Sequence, residues 1–226
     1  PENRLTSVGG LLTAGYRVDG KRAWKQTAAG RTYFLYDGLT PVVELDATGA
    51  VSATHTIGAA GLISRRSGGS SVFYTFDPHG SVAQRLDGTG SVLTSHVWDV
   101  HGAGQVTGSF SDPFGYGAQW GYYTDQETGL LLLSLRYYDP VSGRFLTRDP
   151  ISYDGGVNLY AYTGNNPANA IDPDGTRWTI GQYVNFVKAI VDKDWDTVIL
   201  LLEITTGTEL PNEIVVRVLQ NPRNLR

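Results

Sequence analysis

Apolar and polar residues interleave in short runs over the first three quarters of the chain. The runs 81–86 and 91–98 mix Val, Leu and Trp with Ser, Gln, Arg and Thr, and 73–76 is Phe-Tyr-Thr-Phe. Alternation of this kind is typical of a strand with one buried and one wet face, and aromatic and β-branched residues fit a pleated surface. The pattern predicts antiparallel β-hairpins from residue 1 to about 165.

The turns between these strands repeat. An aromatic residue, an Asp and a turn recur at Asp37, Asp77, Asp99 and Asp139, with spacings of 40, 22 and 40 residues. A second series, Leu-Asp-x-x-Gly, begins at 45 and 86. Such an Asp can accept backbone N–H bonds, and a following Gly supplies positive φ. Units of about 20 residues therefore stack into a long strip, which twists into a curved sheet or closes on itself.

The pattern changes after Gly175. Apolar residues at helical spacing predict a helix over 178–194 with Thr179 as a candidate N-cap, a second segment over 194–206 that also permits a strand, and a third helix from about 210. Residues 177–226 are thus predicted to form a small helical module. They contain no His, Cys or Ser, which disfavours a toxin enzyme in this part of the chain.

Composition narrows the function classes. The net charge is −4 with no basic stripe, so we expect no nucleic-acid partner. The chain has no Cys, which excludes disulfides and thiolate chemistry, and no apolar run long enough for a membrane span. It has no Met and begins at Pro1, so we expect an internal cut from a longer precursor.

Metal and cofactor sites are not predicted. The four His residues lack metal-ligand spacing, the Gly-x-Gly runs near 102–121 lack a βαβ frame, and the scattered Asp residues of the turns are too far apart for a calcium loop. The Tyr, Phe and Trp content leaves a carbohydrate-binding surface open, although aromatic residues that end strands are more often packed in a core.

A series of longer motifs then points to a known family. The motifs are Tyr123-Thr124-Asp125-Gln126-Glu127-Thr128-Gly129-Leu130, Leu135-Arg136-Tyr137-Tyr138-Asp139-Pro140, Ser142-Gly143-Arg144-Phe145, Arg148-Asp149-Pro150, Asn158-Leu159-Tyr160-Ala161-Tyr162, Asn165-Asn166-Pro167 and Ile171-Asp172-Pro173-Asp174-Gly175. In these motifs and their order, residues 1–176 resemble the C-terminal end of an RHS (YD-repeat) protein, with the RHS-associated core at about 120–176. Residues 177–226 follow as a separate module.

The resemblance implies a β-sheet ribbon wound into a hollow shell, in a secreted or surface-exposed bacterial protein, with the core as a plug at one end. The variable segment after the core is often a toxin held inside. The leading hypothesis is therefore a structural shell or self-assembling extracellular protein. The alternatives are a self-cleaving processing domain that releases a C-terminal effector, and a surface adhesion or carbohydrate-binding module. Expected partners are the preceding shell of the same precursor and further copies, which would join through a strand edge near residues 5–12 and the helical module into rings or filaments.

The resemblance also implies at most one enzymatic activity, intramolecular cleavage by an aspartyl pair. Its candidate residues are Asp149 and either Asp172 or Asp174, with Arg148 in support and the Thr176–Arg177 bond as the target. Two carboxylates that share a proton can divide the roles of activating water and polarising a carbonyl. Asp-Pro-x-Gly is also an ordinary turn. Because Thr176 stands where the family usually has Leu, we predict that this bond stays largely intact.

Overall fold

The computed structural model describes residues 4–110 and 112–180 of the chain. The chain divides after Thr179 into two units, and the second lies outside the described residues apart from Ile180. The predicted helical module, 177–226, therefore falls almost wholly outside the described residues. At its start, Thr179–Ile180 forms a short strand, where the sequence predicts the first turn of a helix. Both residues are β-branched, which favours extended backbone. Within the described part, no helix has the length and apolar character needed to cross a membrane.

Eleven antiparallel strands form one open sheet, in which each strand pairs with its neighbours in the chain. This confirms the predicted antiparallel hairpin ribbon. The strands are β1 (Ser7–Val8), β2 (Leu12–Tyr16), β3 (Arg22–Thr27), β4 (Gly30–Asp37), β5 (Thr40–Leu45), β6 (Val51–Gly58), β7 (Gly61–Ser67), β8 (Ser70–Phe76), β9 (Val82–Leu86), β10 (Val92–Trp98) and β11 (Gly104–Gly108).

Several Asp residues of the repeat build hairpin turns as predicted, whereas Asp37 is the last residue of β4 and pairs with Thr40. The Asp77 carboxylate accepts hydrogen bonds from the backbone N–H groups of His79 and Ser81, each at 2.9 Å. Its backbone C=O accepts from the N–H of Gly80, which has φ of +82°. These bonds hold the chain in a tight reversal, because an Asx-turn replaces the hydrogen bonds that the ladder loses. Carboxylate bonds to the residues two and four positions on recur at Asp46, Asp87 and Asp99.

One face of the ribbon is covered. In β8, Val72 and Tyr74 are buried while Phe73 between them is exposed. In β6, Ala53 and His55 are buried and their neighbours are exposed. Side chains that alternate in burial show that a single face of the sheet packs against other residues.

The cover is residues 112–176, here called the covering segment. It holds a four-stranded antiparallel sheet, three short 3-10 helices and the first strand of a two-stranded sheet. The strands are β12 (Tyr123–Asp125), β13 (Leu130–Leu133), β14 (Arg136–Asp139), β15 (Arg144–Phe145), β16 (Ala170–Ile171) and, just beyond the segment, β17 (Thr179–Ile180); the helices are Ala118–Trp120, Ser152–Gly155 and Thr163–Asn165.

A single aromatic core joins ribbon and covering segment. Phe34 of β4 meets Tyr123 of β12 edge to face, with ring centroids 5.5 Å apart, and Tyr74 meets Phe114 at 6.0 Å. Edge-to-face rings gain electrostatic attraction beyond the apolar area that they bury. Trp98 of the ribbon and Trp120 pack against a second cluster, whose buried members are Tyr116, Tyr122, Leu131, Leu133, Tyr138, Phe145 and Tyr162.

Buried charges cross the same junction. Arg22 of β3 contacts the Asp125 carboxylate of β12 at 2.5 Å and the Tyr137 hydroxyl at 2.6 Å. Lys25 contacts Asp125 at 3.0 Å and Glu127 at 3.1 Å. Burial alone would raise the pKa of Asp125, but the charges of Arg22 and Lys25 outweigh it and lower that pKa below its usual value. The network therefore fixes the covering segment on the ribbon as a fully charged, mutually paired group.

A close approach at the turn after β8 adds to the junction. The Trp120 indole N–H donates to the backbone C=O of His79 at 3.0 Å. A Cβ on Gly80 would lie only 2.1 Å from the same indole nitrogen. Position 80 thus requires glycine both for its positive φ and for the indole packed against it.

Candidate functional site

The three candidate carboxylates lie together at the end of the covering segment. Asp172 directly follows β16, and Asp174 lies two residues further on in the same turn. Asp149 lies in the loop after β15. The fold brings all three to the chain around Thr176, where the resemblance places the target bond.

Arg136 of β14 joins two of them. Its Nη2 contacts the Asp149 carboxylate at 2.9 Å and the Asp172 carboxylate at 3.3 Å. Its Nε donates to the backbone C=O of Gly175. The guanidinium stacks over the ring of Phe145 at 3.6 Å, and its side chain is 3% exposed. One buried cation thereby fixes both carboxylates and the turn between them.

The carboxylates of the turn also cap its backbone. The Thr176 N–H donates to Asp172 Oδ1 at 3.0 Å and to Asp174 Oδ1 at 2.9 Å. Asp174 Oδ1 further accepts from the Thr176 hydroxyl at 2.8 Å and from the Arg177 N–H at 3.2 Å. Asp174 therefore contacts both residues of the target bond, as a capping residue of an Asx-turn does.

Asp149 approaches the same bond from the other side. A Cβ built on Gly155 would lie 2.6 Å from Asp149 Oδ2 and 3.1 Å from the Thr176 carbonyl oxygen. Both atoms therefore border the one space that glycine leaves open here. A side chain at residue 155 would therefore clash with the Asp149 carboxylate and crowd the carbonyl of the target bond.

Asp172 differs from an ordinary carboxyl group. Burial raises its pKa to about 7; the charge of Arg136 opposes this shift, and the neighbouring Asp174 adds to it. Its backbone N–H donates to the Tyr122 hydroxyl at 2.9 Å. Burial therefore favours the protonated form of the Asp172 carboxyl more than it would in an exposed aspartate.

A cavity of about 640 Å³ opens beside Asp149 and Arg136. The turn after β2, at Val18 to Gly20, forms the opposite wall. Arg148 is exposed and also lines this cavity, and Arg136 contacts both carboxylates. Arg136 was not among the residues predicted from the sequence, and the supporting role of Arg148 stays a prediction.

A signal for Arg136 was present in the sequence. It follows the strongly apolar run Leu130-Leu131-Leu132-Leu133 within two residues and precedes two tyrosines. A charged side chain in such surroundings is rarely buried unless it has a partner of opposite charge. The identity of that partner depends on the loops that follow β15 and β16, which the local sequence does not specify.

His55 makes its hydrogen bonds within the ribbon. His55 contacts the Glu44 carboxylate at 3.0 Å and the backbone C=O of Pro41 at 2.8 Å. Burial would raise the pKa of Glu44, but its bond from His55 and the charge of Arg65 lower it to about 2. Over residues 4–110 and 112–180, no group of three or more His, Asp or Glu side chains is arranged to hold a metal ion.

Several bacterial proteins are similar to parts of this chain in sequence. No protein-family model matches the chain. The tRNA nuclease WapA of Bacillus subtilis (strain 168) is 35% identical over 173 residues, which are 73% of this chain and 7% of the relative. The double-stranded DNA deaminase toxin A of Burkholderia cenocepacia is 34% identical over 119 residues, 49% of this chain and 8% of the relative. The toxin protein Tse5 of Pseudomonas aeruginosa is 47% identical over 55 residues, 24% of this chain and 4% of the relative. These relatives are bacterial nucleases and toxins.

Solved structures agree on the fold. A TcdB2-TccC3 crystal structure without its hypervariable C-terminal region aligns with a TM-score of 0.56 at 22% identity, covering 73% of this chain and 9% of that one. A Photorhabdus luminescens Tc holotoxin pore aligns with a TM-score of 0.55 at 24% identity, covering 75% of this chain and 9% of that one. The chain spans less than a tenth of the length of these proteins.

Proposed function

We propose that this chain is the wall and closing segment of a β-sheet shell in a secreted or surface-exposed bacterial toxin protein of the RHS type. Its function is structural. The ribbon forms part of the wall of the shell, and the covering segment closes one face of that wall. The motifs of residues 1–176, the toxin relatives and the likeness to Tc toxin structures support this proposal.

The observation that carries the proposal is the buried junction between ribbon and covering segment. A segment more than 100 residues further along the chain returns to the ribbon face and inserts Asp125 between Arg22 and Lys25. A cover that is tied to the wall by desolvated charges suits a closure that must not open.

The preceding shell of the same precursor is the proposed partner. β1 is only two residues long and ends the sheet order on that side. In a longer protein, hairpins that precede residue 4 would extend the ribbon from this edge. This is the edge near residues 5–12 where the sequence predicts association.

Protease protection tests the closure. The longest natural protein that carries these residues is treated with a nonspecific protease, and the fragments after residue 180 are followed by mass spectrometry. We expect protection in the wild type, accelerated cutting in Asp125→Asn, and wild-type behaviour in Asp19→Asn, which removes an exposed carboxylate of the β2–β3 turn. Equal cutting in all three proteins would refute an enclosing role.

Self-cleavage is the second candidate, and the contacts of Asp172 and Asp174 with Thr176, together with Asp149 beside Gly155, support it. In that reaction an ionised Asp149 would take a proton from water, whose oxygen attacks the Thr176 carbonyl carbon, while a protonated Asp172 polarises the carbonyl. The C–N bond would then break as the proton that Asp149 took from water passes to the Arg177 nitrogen, which leaves as an amine.

We nevertheless propose that the bond stays largely intact. Asp174 Oδ1 accepts from the Thr176 hydroxyl as well as from two backbone N–H groups, so the turn holds Thr176 through its own side chain. Leu at this position could not make that bond. A displacement of about 1 Å at a reacting bond can reduce a rate on the order of a hundredfold.

Intact mass under denaturing conditions decides between the two. One species near 24.5 kDa supports an intact bond. Two fragments that become one species in Asp149→Asn would show that self-cleavage operates. Thr176→Leu removes the hydroxyl bond, and we expect it to yield more cleavage than the wild type if the dyad is competent.

A further inference from the structure

The last strand of the ribbon leaves an open edge. β11 pairs with β10 over five residues, from Trp98↔Gly104 to Thr94↔Gly108. All five residues of β11 are exposed, and it ends the sheet order, so no strand within 4–110 or 112–180 pairs with its other side. Alternate N–H and C=O groups of such an edge are available to another strand.

This edge lacks the features that prevent strands from pairing with other chains. Between Asp99 and Asp112 there is no charged residue and no proline. Proteins usually protect a free edge with Lys, Pro, a bulge or a very short strand. The opposite edge shows one of these devices, because β1 has two residues. The two ends of the ribbon are therefore unlike: β1 is the short edge from which earlier hairpins of the same precursor would continue, and β11 is the longer, uncharged edge that is suited to a second chain.

The sequence of β11 is complementary to itself. It reads Gly-Gln-Val-Thr-Gly, with Val106 at its centre. In an antiparallel pair of two copies with the two-fold axis at Val106, each Gly104 faces Gly108, each Gln105 faces Thr107, and the two Val106 side chains face each other. Glycine meets glycine, an uncharged polar residue meets another, valine meets valine, and no charge is placed opposite a charge. An isologous contact of this kind closes as a dimer.

We propose that β11 is an interaction surface for a second copy of this chain, and that two copies pair through it into one continuous antiparallel sheet. The occupant is a second copy because the edge has no charge that would select a different partner, while its own sequence supplies the matching strand. This inference does not depend on the proposed shell function.

The mass of the full chain in solution gives the first test. We expect a particle of twice 24.5 kDa that dissociates on dilution. Val106→Lys places two like charges opposite each other on the axis, and Thr107→Lys adds charges beside it, so both variants should halve the mass at the same concentration. Val106 is 50% exposed, so a charged head can stay in water in the monomer. Val51→Lys, at a residue of β6 that is 63% exposed, is the matched control and should leave the dimer unchanged.

Cysteine pairing tests the register. The chain has no Cys, so a single one reports without background. Facing residues of an antiparallel pair lie about 4.5 to 5.5 Å apart at Cα, within the range of a disulfide. Val106→Cys should cross-link two copies under mild oxidation, whereas Val51→Cys should not. Gln105→Cys should cross-link poorly alone and efficiently when mixed with Thr107→Cys.

Three results would overturn the proposal. They are a wild-type monomer at every concentration, a dimer that persists in both lysine variants, and Val106→Cys cross-linking no faster than Val51→Cys. Circular dichroism checks that each lysine variant keeps its strand signal, and if one variant fails to fold the other decides.

Discussion

Replacing Asp125 with Asn tests how strongly the covering segment is held to the ribbon. The Asp125 side chain is 0% exposed and accepts from Arg22, Lys25 and Tyr137. Asn keeps the shape but removes the negative charge, so the buried Arg22 loses the carboxylate that it contacts, whereas Lys25 keeps Glu127. Breaking a buried pair by removing one partner costs about 3–5 kcal/mol, because the remaining charge is desolvated without compensation. We expect a loss of that size in the free energy of unfolding.

Urea unfolding followed by tryptophan fluorescence measures this loss, since Trp98 and Trp120 pack in the core between ribbon and covering segment. Asp19→Asn, in an exposed ion pair, is the control and should change stability far less. The double variant Arg22→Met, Asp125→Leu should recover part of the loss, because it removes both members of the pair. A loss below about 1 kcal/mol in Asp125→Asn would show that this pair does not hold the covering segment to the ribbon, because breaking a strongly desolvated pair costs several times more.

Two further changes have defined outcomes. Gly80→Ala should lower the thermal stability of the protein more than Gly49→Ala does. Both residues have positive φ, but only at Gly80 would the Cβ collide with an indole, that of Trp120. Equal losses would contradict the packing argument. The ionised Glu44 should stabilise the folded protein by about 3 kcal/mol. This effect should be complete above its usual pKa of 4.5 and should disappear as the pH falls towards about 2. The difference in unfolding free energy between wild type and Glu44→Gln should therefore shrink over that pH range, and a constant difference would show that Glu44 is not held in its charged form.

Local chemistry explains which parts of the ribbon the sequence predicts. An Asx-turn at Asp77 or Asp87 needs only the Asp and the four residues after it, all adjacent in the chain. The strands between turns alternate in burial with a period of two, which is visible in the sequence for the same reason. Such features do not depend on what covers the sheet.

Long-range partners explain what the sequence does not predict. Arg22 and Asp125 are 103 residues apart, and nothing near either one specifies the other. The same holds at the candidate site, where Asp149 and Asp172 were expected as a pair but their common contact, Arg136, was not. Its role arises only when the loops after β15 and β16 fold back onto β14.

Single-particle electron microscopy of the natural protein that carries these residues tests the central proposal most directly. We expect a hollow β-sheet shell. Its wall continues from the edge of β1, and residues 112–176 pack on its inner face at one end. A solid particle in which the edge of β1 borders solvent and no wall precedes it would contradict the proposed shell.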